Sequence, residues 1–177
     1  MIKTVIILAH PNLDNSIANK IIVKEVSKLG NVKVHNIAKL YPDFNIDAKA
    51  EQEALLNADR IIFQYPIYWY NMPPILKQWF DQVLTYGFAY GENNYNMEGK
   101  EMVVSVTTGG PEEGYAGGVL DSKILFPLEG TAGFCKMKYI KPMVLHGIMI
   151  MPDMDKKPFI ELAENHAKKL VQTIVKQ

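Results

Sequence analysis

Three stretches hold residues whose types and spacing suit ligand chemistry: A-H-P-N-L-D-N-S-I-A-N at 9–19, P-I-Y-W-Y-N at 66–71 and T-T-G-G-P-E-E-G-Y at 107–115. In the first, a polar turn from His10 to Asn15 leads into an amphipathic helix opened by Ser16. The start of a helix offers unpaired N–H groups and the positive end of the helix dipole, which together seat a phosphate. Ser16 adds a hydroxyl donor there and Asn19 an amide, although a Ser in this place is also an ordinary helix cap. No G-x-G-x-x-G or Walker pattern is present, which argues against a nucleoside triphosphate. In the second, Tyr68, Trp69 and Tyr70 are consecutive aromatics in a loop, where polar residues are the rule. A flat aromatic ligand or a partner subunit would account for them. In the third, Gly109 and Gly110 let the backbone come close to a ligand and present N–H groups to it; the same letters elsewhere make a tight turn.

The rest of the chain supplies elements that bring these stretches together. Apolar runs rich in β-branched residues predict strands at 4–9, 59–65, 102–107 and 143–148, and alternation predicts another at 32–37. Helices are expected from Ser16 to a stop at Gly30, over 48–57, after Pro73 and Pro74, before Gly130, and at the C-terminal end of the sequence. The prolines suit a first helical turn, Asn71 offers a cap, and Ile75, Leu76, Trp79, Phe80, Val83 and Leu84 form one apolar face. His10, Pro66, Thr107 and their neighbours then follow strand ends. Five strands alternating with five helices make an α/β sandwich of three layers, a parallel sheet covered on both faces. The long loop from Gly87 to Gly99 has the composition of a functional or disordered segment.

Composition narrows the function classes. With 177 residues, 48% hydrophobic and 21% charged, the chain reads as one soluble domain spanning 1–177. A net charge of zero argues against nucleic acid as a partner and against an acidic electron carrier that docks by charge. The single Cys135 excludes an intrachain disulfide, fits the cytoplasm and reads as a small apolar residue. The first residues form a strand rather than a signal peptide, and no run is long enough to span a bilayer. No His, Cys and carboxylate cluster has metal-ligand spacing, so no metal is expected. His35 and His166 read as structural, while His146 falls at the ligand end of the fifth strand.

The run P-x-Y-W-Y-N-M-P-P, followed by L-K-x-W-x-D-x-V and G-F-A-Y, resembles the NAD(P)H:quinone oxidoreductases of the flavodoxin-like superfamily. It is most similar to short bacterial members that include ancillary subunits of potassium efflux systems. This resemblance implies a flavodoxin-like fold with strand order 2-1-3-4-5. It places His10, Ser16, Ile17 and Asn19 at the phosphate of a flavin, and Pro66, Ile67, Tyr68, Trp69 and Tyr70 beside its ring. Thr107, Thr108, Gly109 and Gly110 would run along the pyrimidine edge, with Tyr115 near the site of hydride transfer. The longer animal members have a histidine six residues beyond that tyrosine; here Y-A-G-G-V-L-D-S-K-I-L-F-P has none, so no Tyr–His relay carries over. Tyr115 is left to donate a hydrogen bond or to act as a general acid. The resemblance further implies FMN rather than FAD, NAD(P)H as co-substrate, a quinone or similar acceptor, and a homodimer whose interface takes in Tyr68–Tyr70 and Phe88–Tyr90. Two other roles fit the same residues: a regulatory subunit touching a membrane transporter, and a one-electron carrier of flavodoxin type.

Overall fold

A computed structural model describes residues 2–92 and 95–175. Strand β1 (Thr4–Leu8) has every residue buried, as an apolar run must when both faces of a sheet are covered. It lies parallel to β2 (Val32–Asn36) on one side and β3 (Arg60–Pro66) on the other. Next to β3 runs β4 (Glu101–Thr107), and β4 is flanked by β5 (Lys138–Tyr139) at its start and β6 (Met143–Leu145) at its end. The order is therefore β2-β1-β3-β4, with β5 and β6 sharing the fifth position. This is the expected flavodoxin-like arrangement.

Alternation along β3 divides the core. Ile61, Phe63 and Tyr65 face a cluster that includes Trp79, Phe80 and Val104. Ile62 faces the other side, with Ile6, Val103, Ile22, Leu170 and Ile174. Helices α3 (Ala48–Leu56), α4 (Pro74–Val83) and α5 (Phe126–Phe134) contribute to the first layer. Helices α1 (Ala18–Val26) and α6 (Lys157–Val175) form the second. The rings of Phe63, Trp79 and Phe80 lie with centroids 4.8 to 5.6 Å apart. Such contacts add about 1 kcal/mol per pair to area burial.

Buried polar groups pin both layers to the sheet. Glu51 on α3 accepts from Tyr41 Oη at 2.8 Å and Trp79 Nε1 at 2.9 Å, and its carboxylate lies 3.0 Å from His35 Nδ1. Burial pushes its pKa up, but the bonds from His35, Trp79 and Tyr41 outweigh that and hold it below the ordinary carboxylate value. On the other layer, Ser105 Oγ of β4 meets His166 Nε2 of α6 at 2.9 Å, and burial drives that imidazole down to about 4. Arg60 donates to the carbonyls of Thr173 and Ile174 at 2.7 and 3.0 Å, closing the C-terminal end of α6.

Several boundaries differ from the sequence reading. The first helix begins at Ala18, after a tight 3₁₀ turn over Leu13–Asn15, and ends at Val26, so Gly30 is not its stop. A four-residue helix, α2 (Ile37–Leu40), follows β2 directly. Asn71 does not cap α4; its Oδ1 accepts the N–H of Met72 at 2.8 Å, and Pro73 stands at the cap position. The fifth helix runs past Gly130 to Phe134, after a widened turn over Leu120–Leu125. The predicted strand 143–148 stops at Leu145, and its missing half is β5, separated from β6 at Pro142, a residue with no N–H for the ladder. Phe88 is buried and Tyr90 half-buried, so neither forms the open surface expected of them. Asn93 and Asn94 of the long loop lie outside the described residues.

Candidate functional site

Beyond the carboxyl ends of β1, β3, β4 and β6 lies a cleft of about 770 Å³. It sits beside the point where the strand order reverses, between β1 and β3, as open parallel sheets require of their ligand sites. Every residue of the three stretches assigned a binding role lines it: His10, Ser16, Ile17 and Asn19; Pro66 to Tyr70; Thr107 to Gly110; and Tyr115.

The first wall is the turn into α1. The N–H groups of Ile17 and Ala18 have no acceptor among the described residues, as expected for the first turn of a helix. Ser16 Oγ accepts the N–H of Asn19 at 3.2 Å, which leaves its hydroxyl hydrogen to donate. His10 Nδ1 accepts the N–H of Asn12 at 3.1 Å, so the neutral ring carries its proton on Nε2. Burial holds the His10 pKa below the usual imidazole value, so at neutral pH the ring is an uncharged donor. Asn19 proves to be a brace. Its Oδ1 accepts from Gln64 Nε2 at 2.6 Å and its Nδ2 donates to Thr107 Oγ1 at 3.1 Å, tying α1 to β3 and β4.

The second wall is the aromatic turn. Tyr68 and Asn71 exchange both backbone hydrogen bonds at 3.0 Å, closing a two-residue loop of Trp69 and Tyr70. Both loop residues take left-handed backbone angles, φ 48° and 63°. A hairpin loop of this kind normally selects Asn-Gly, and bulky residues there store strain. The result is that Trp69 stands 94% exposed and Tyr70 64%.

The third wall is the loop after β4. Thr108 donates its N–H to the Leu145 carbonyl at 2.9 Å, and its own carbonyl accepts from Ile148 at 2.8 Å. The Gly110 carbonyl accepts from the Thr108 hydroxyl at 2.8 Å and the Gly147 N–H at 2.9 Å. The N–H groups of Gly109 and Gly110 keep no acceptor among the described residues. Tyr115 lies over this loop, close enough that a Cβ on Gly110 would sit 3.6 Å from its hydroxyl.

Sequence reasoning missed part of the lining. Asn12 and Asn15 belong to the first wall, and Ile148, Met149 and Ile150 form an apolar rim after β6. The rim had a usable signal, since the loop after the last strand also lies at the ligand end of a parallel sheet. His146 lies beside Tyr115, ring centroids 5.3 Å apart, although it is 31 positions further along. No Asp, Glu, Lys or Arg stands among the lining residues, so the cleft presents neutral donors and apolar surface. No group of three or more His, Cys, Asp or Glu among the described residues is placed to hold a metal ion.

The model of a family with the flavodoxin-like fold matches residues 2–170. The chain belongs to that family. The potassium-efflux ancillary protein KefF of Salmonella typhi is 43% identical over 150 residues, covering 84% of this chain and 85% of that one. Among solved structures, general stress protein 14 of Treponema denticola, in complex with FMN, superposes with a TM-score of 0.86 at 34% identity, over 97% of both chains. A structure described as thermophilic tryptophan halogenase from Streptomycin violaceusniger superposes at 0.87 with 31% identity, over 98% of this chain and 99% of that one. An NADPH-quinone reductase from P. pentosaceus superposes at 0.78 with 31% identity, over 94% and 96%.

Proposed function

We propose that this protein is an FMN-dependent NAD(P)H oxidoreductase that reduces a quinone or a similar small, uncharged acceptor in two alternating half-reactions. The observation that carries the reading is the cleft itself, where neutral phosphate donors, an open aromatic turn and free glycine amides converge. Relatives described as an FMN complex and as a quinone reductase support it. The named relatives differ in substrate, so the acceptor class rests on the chemistry of the lining.

The residues present fit FMN. Ile17, Ala18, Ser16 and His10 supply donors for one phosphate, and the unpaired N–H groups of Gly109 and Gly110 suit the polar edge of the ring. FMN supplies two-electron hydride transfer between NAD(P)H and the acceptor. The chain would position the reactants: Pro66, Ile67 and the aromatic turn offer surface for flat groups, and Ile148 to Ile150 add an apolar rim. The glycine amides favour negative charge on the bound ring. Tyr115, which lines the cleft beside Gly110, is the residue we assign to donate a hydrogen bond, or a proton, to the acceptor. FAD would need further phosphate donors, and Ser16, Ile17, Ala18 and His10 account for one phosphate.

We further infer a cytoplasmic homodimer that folds as one unit, with Trp69, Tyr70, Tyr86, Phe126 and Phe134 as its exposed aromatic surface. Among the described residues no helix is long and apolar enough to cross a membrane. A second reading, an ancillary subunit that docks on a transporter, is favoured by the identity to KefF. The deciding experiment is an absorbance spectrum of purified protein before and after anaerobic addition of NADPH. Flavin bands that bleach within seconds support the reductase. Bands that persist point to a carrier or a regulatory subunit, and a protein that rejects added FMN overturns the reading.

A further inference from the structure

The hydroxyl of Thr108 has two neighbours, the Gly110 carbonyl at 2.8 Å and His146 Nδ1 at 3.0 Å. A carbonyl has no proton to give, so the single hydroxyl hydrogen goes to Gly110 and Nδ1 must bring the other. This assigns the neutral His146 ring to the Nδ1–H tautomer. The pairing follows from strand register, since Thr107 lies opposite Leu145 across β4 and β6, and each is followed by a partner of the bond.

From this geometry we infer that His146 is a positioning residue for the cleft, a latch that holds the Thr108–Gly110 loop with its amides free for FMN. The inference rests on the flavin reading of the cleft. Two adjacent glycines offer little resistance to a peptide flip, and a flip would present a carbonyl where an N–H is needed. The Thr108 carbonyl, in the same peptide as the Gly109 N–H, is held by the Ile148 N–H, and the Gly110 carbonyl, whose peptide runs into Pro111, is held by the Gly147 N–H and the Thr108 hydroxyl, so both ends of the two-glycine segment are anchored. His146 orients that hydroxyl. It does not line the cleft, so it acts through Thr108 and through the face of Tyr115 that it backs.

Two substitutions separate the ring from the hydrogen bond. His146→Asn keeps a donor near the Nδ1 position and loses the ring, whereas His146→Phe keeps a ring against Tyr115 and loses the donor. Titrating FMN-free protein with FMN and following flavin fluorescence, we expect H146F to weaken FMN binding about fivefold to tenfold and H146N to stay within about twofold of the unsubstituted protein. Thermal unfolding of the FMN-free variants reports any general loss of fold. The opposite order, or a loss in H146F that only tracks lowered thermal stability, overturns the latch. Imidazole ¹⁵N NMR tests the tautomer without flavin: a proton on Nδ1 of the neutral ring is expected, and a proton on Nε2 refutes the assignment. A protein that takes up no FMN overturns the flavin reading instead, while the NMR measurement still decides the bond.

Discussion

Glu51 and the cleft are two places where this fold gathers polar groups, and they are finished differently. Around Glu51, the acceptors and donors answer one another: one carboxylate meets three partners from β2, the segment after α2, and α4. In the cleft, the N–H groups of Ile17, Ala18, Gly109 and Gly110 are left without protein acceptors, and Trp69 is held in the open by a turn that disfavours it. A satisfied network stabilises the fold; an unsatisfied set raises its energy until a ligand completes it. The contrast teaches where substitutions act. Changes at Glu51 should lower stability and spare binding, and changes in the cleft should lower binding without lowering stability.

The largest expected effect is Glu51→Ala. His35 and Tyr41 are partly exposed and can turn to water, but Trp79 Nε1 is sealed in the core and loses its acceptor. Urea unfolding should show a loss of about 3 kcal/mol, with FMN affinity of the remaining folded protein unchanged. A comparable loss of FMN affinity would dissolve the contrast.

Acid should act on the same side of it, through His166. Its folded pKa of about 4 lies below the ordinary 6.5, so the unfolded chain binds a proton that the folded protein refuses. Its share of stability is whole above pH 6.5 and is lost as pH falls toward 4. Glu51, with its pKa lowered in the fold, adds to the loss only below the usual carboxylate value of 4.5. Urea melts at pH 7.5 and pH 5 should differ by about 2 kcal/mol from this histidine, and His166→Gln should flatten the difference. An unaltered acid limb in H166Q would remove His166 from the account.

Gly110→Ala probes the other side. An added Cβ meets the Tyr115 side chain at 3.5 to 3.9 Å, ordinary contact, so the fold should tolerate it and melt no lower. The methyl takes up space beside free amides, and FMN affinity should fall about tenfold, the scale of one lost hydrogen bond to a charged or strongly polar partner. Unchanged affinity would place the flavin edge elsewhere.

Much of this arrangement was legible in the residues because local and global preferences agree there. Buried β-branched runs such as T-V-I-I-L have one outcome in a covered parallel sheet, and the loops that follow them share one end of it. What escaped depends on longer-range geometry or on local rules being broken. The fifth strand is cut at Pro142, so neither fragment carries a full periodic signal. The bond between Thr108 and His146 spans 38 positions and exists only because of the β4–β6 register. The braced Asn19 looked like a free donor because the chain does not show that Gln64 and Thr107 converge on it. No propensity predicts Trp69 and Tyr70 at positive φ; their aromatic composition marked them, and their conformation did not.

That last departure predicts a small gain in stability and tests what the strain is for. Replacing Trp69-Tyr70 by Asn-Gly installs the residues that a loop with two left-handed positions prefers. Because Trp69 is 94% exposed, little packing is lost, and relief of backbone strain should raise stability by about 1 kcal/mol in urea unfolding. A flat ligand would lose its aromatic neighbours at the same time, so FMN affinity or acceptor turnover should fall as the protein becomes more stable. If stability rises while both functions persist, the two side chains serve a subunit contact instead, and sedimentation of the variant should show dissociated protomers. If stability falls, the turn is held by packing that the 94% exposure of Trp69 denies, and the separation between a satisfied core and a strained cleft would be wrong at the residue where it is drawn most sharply.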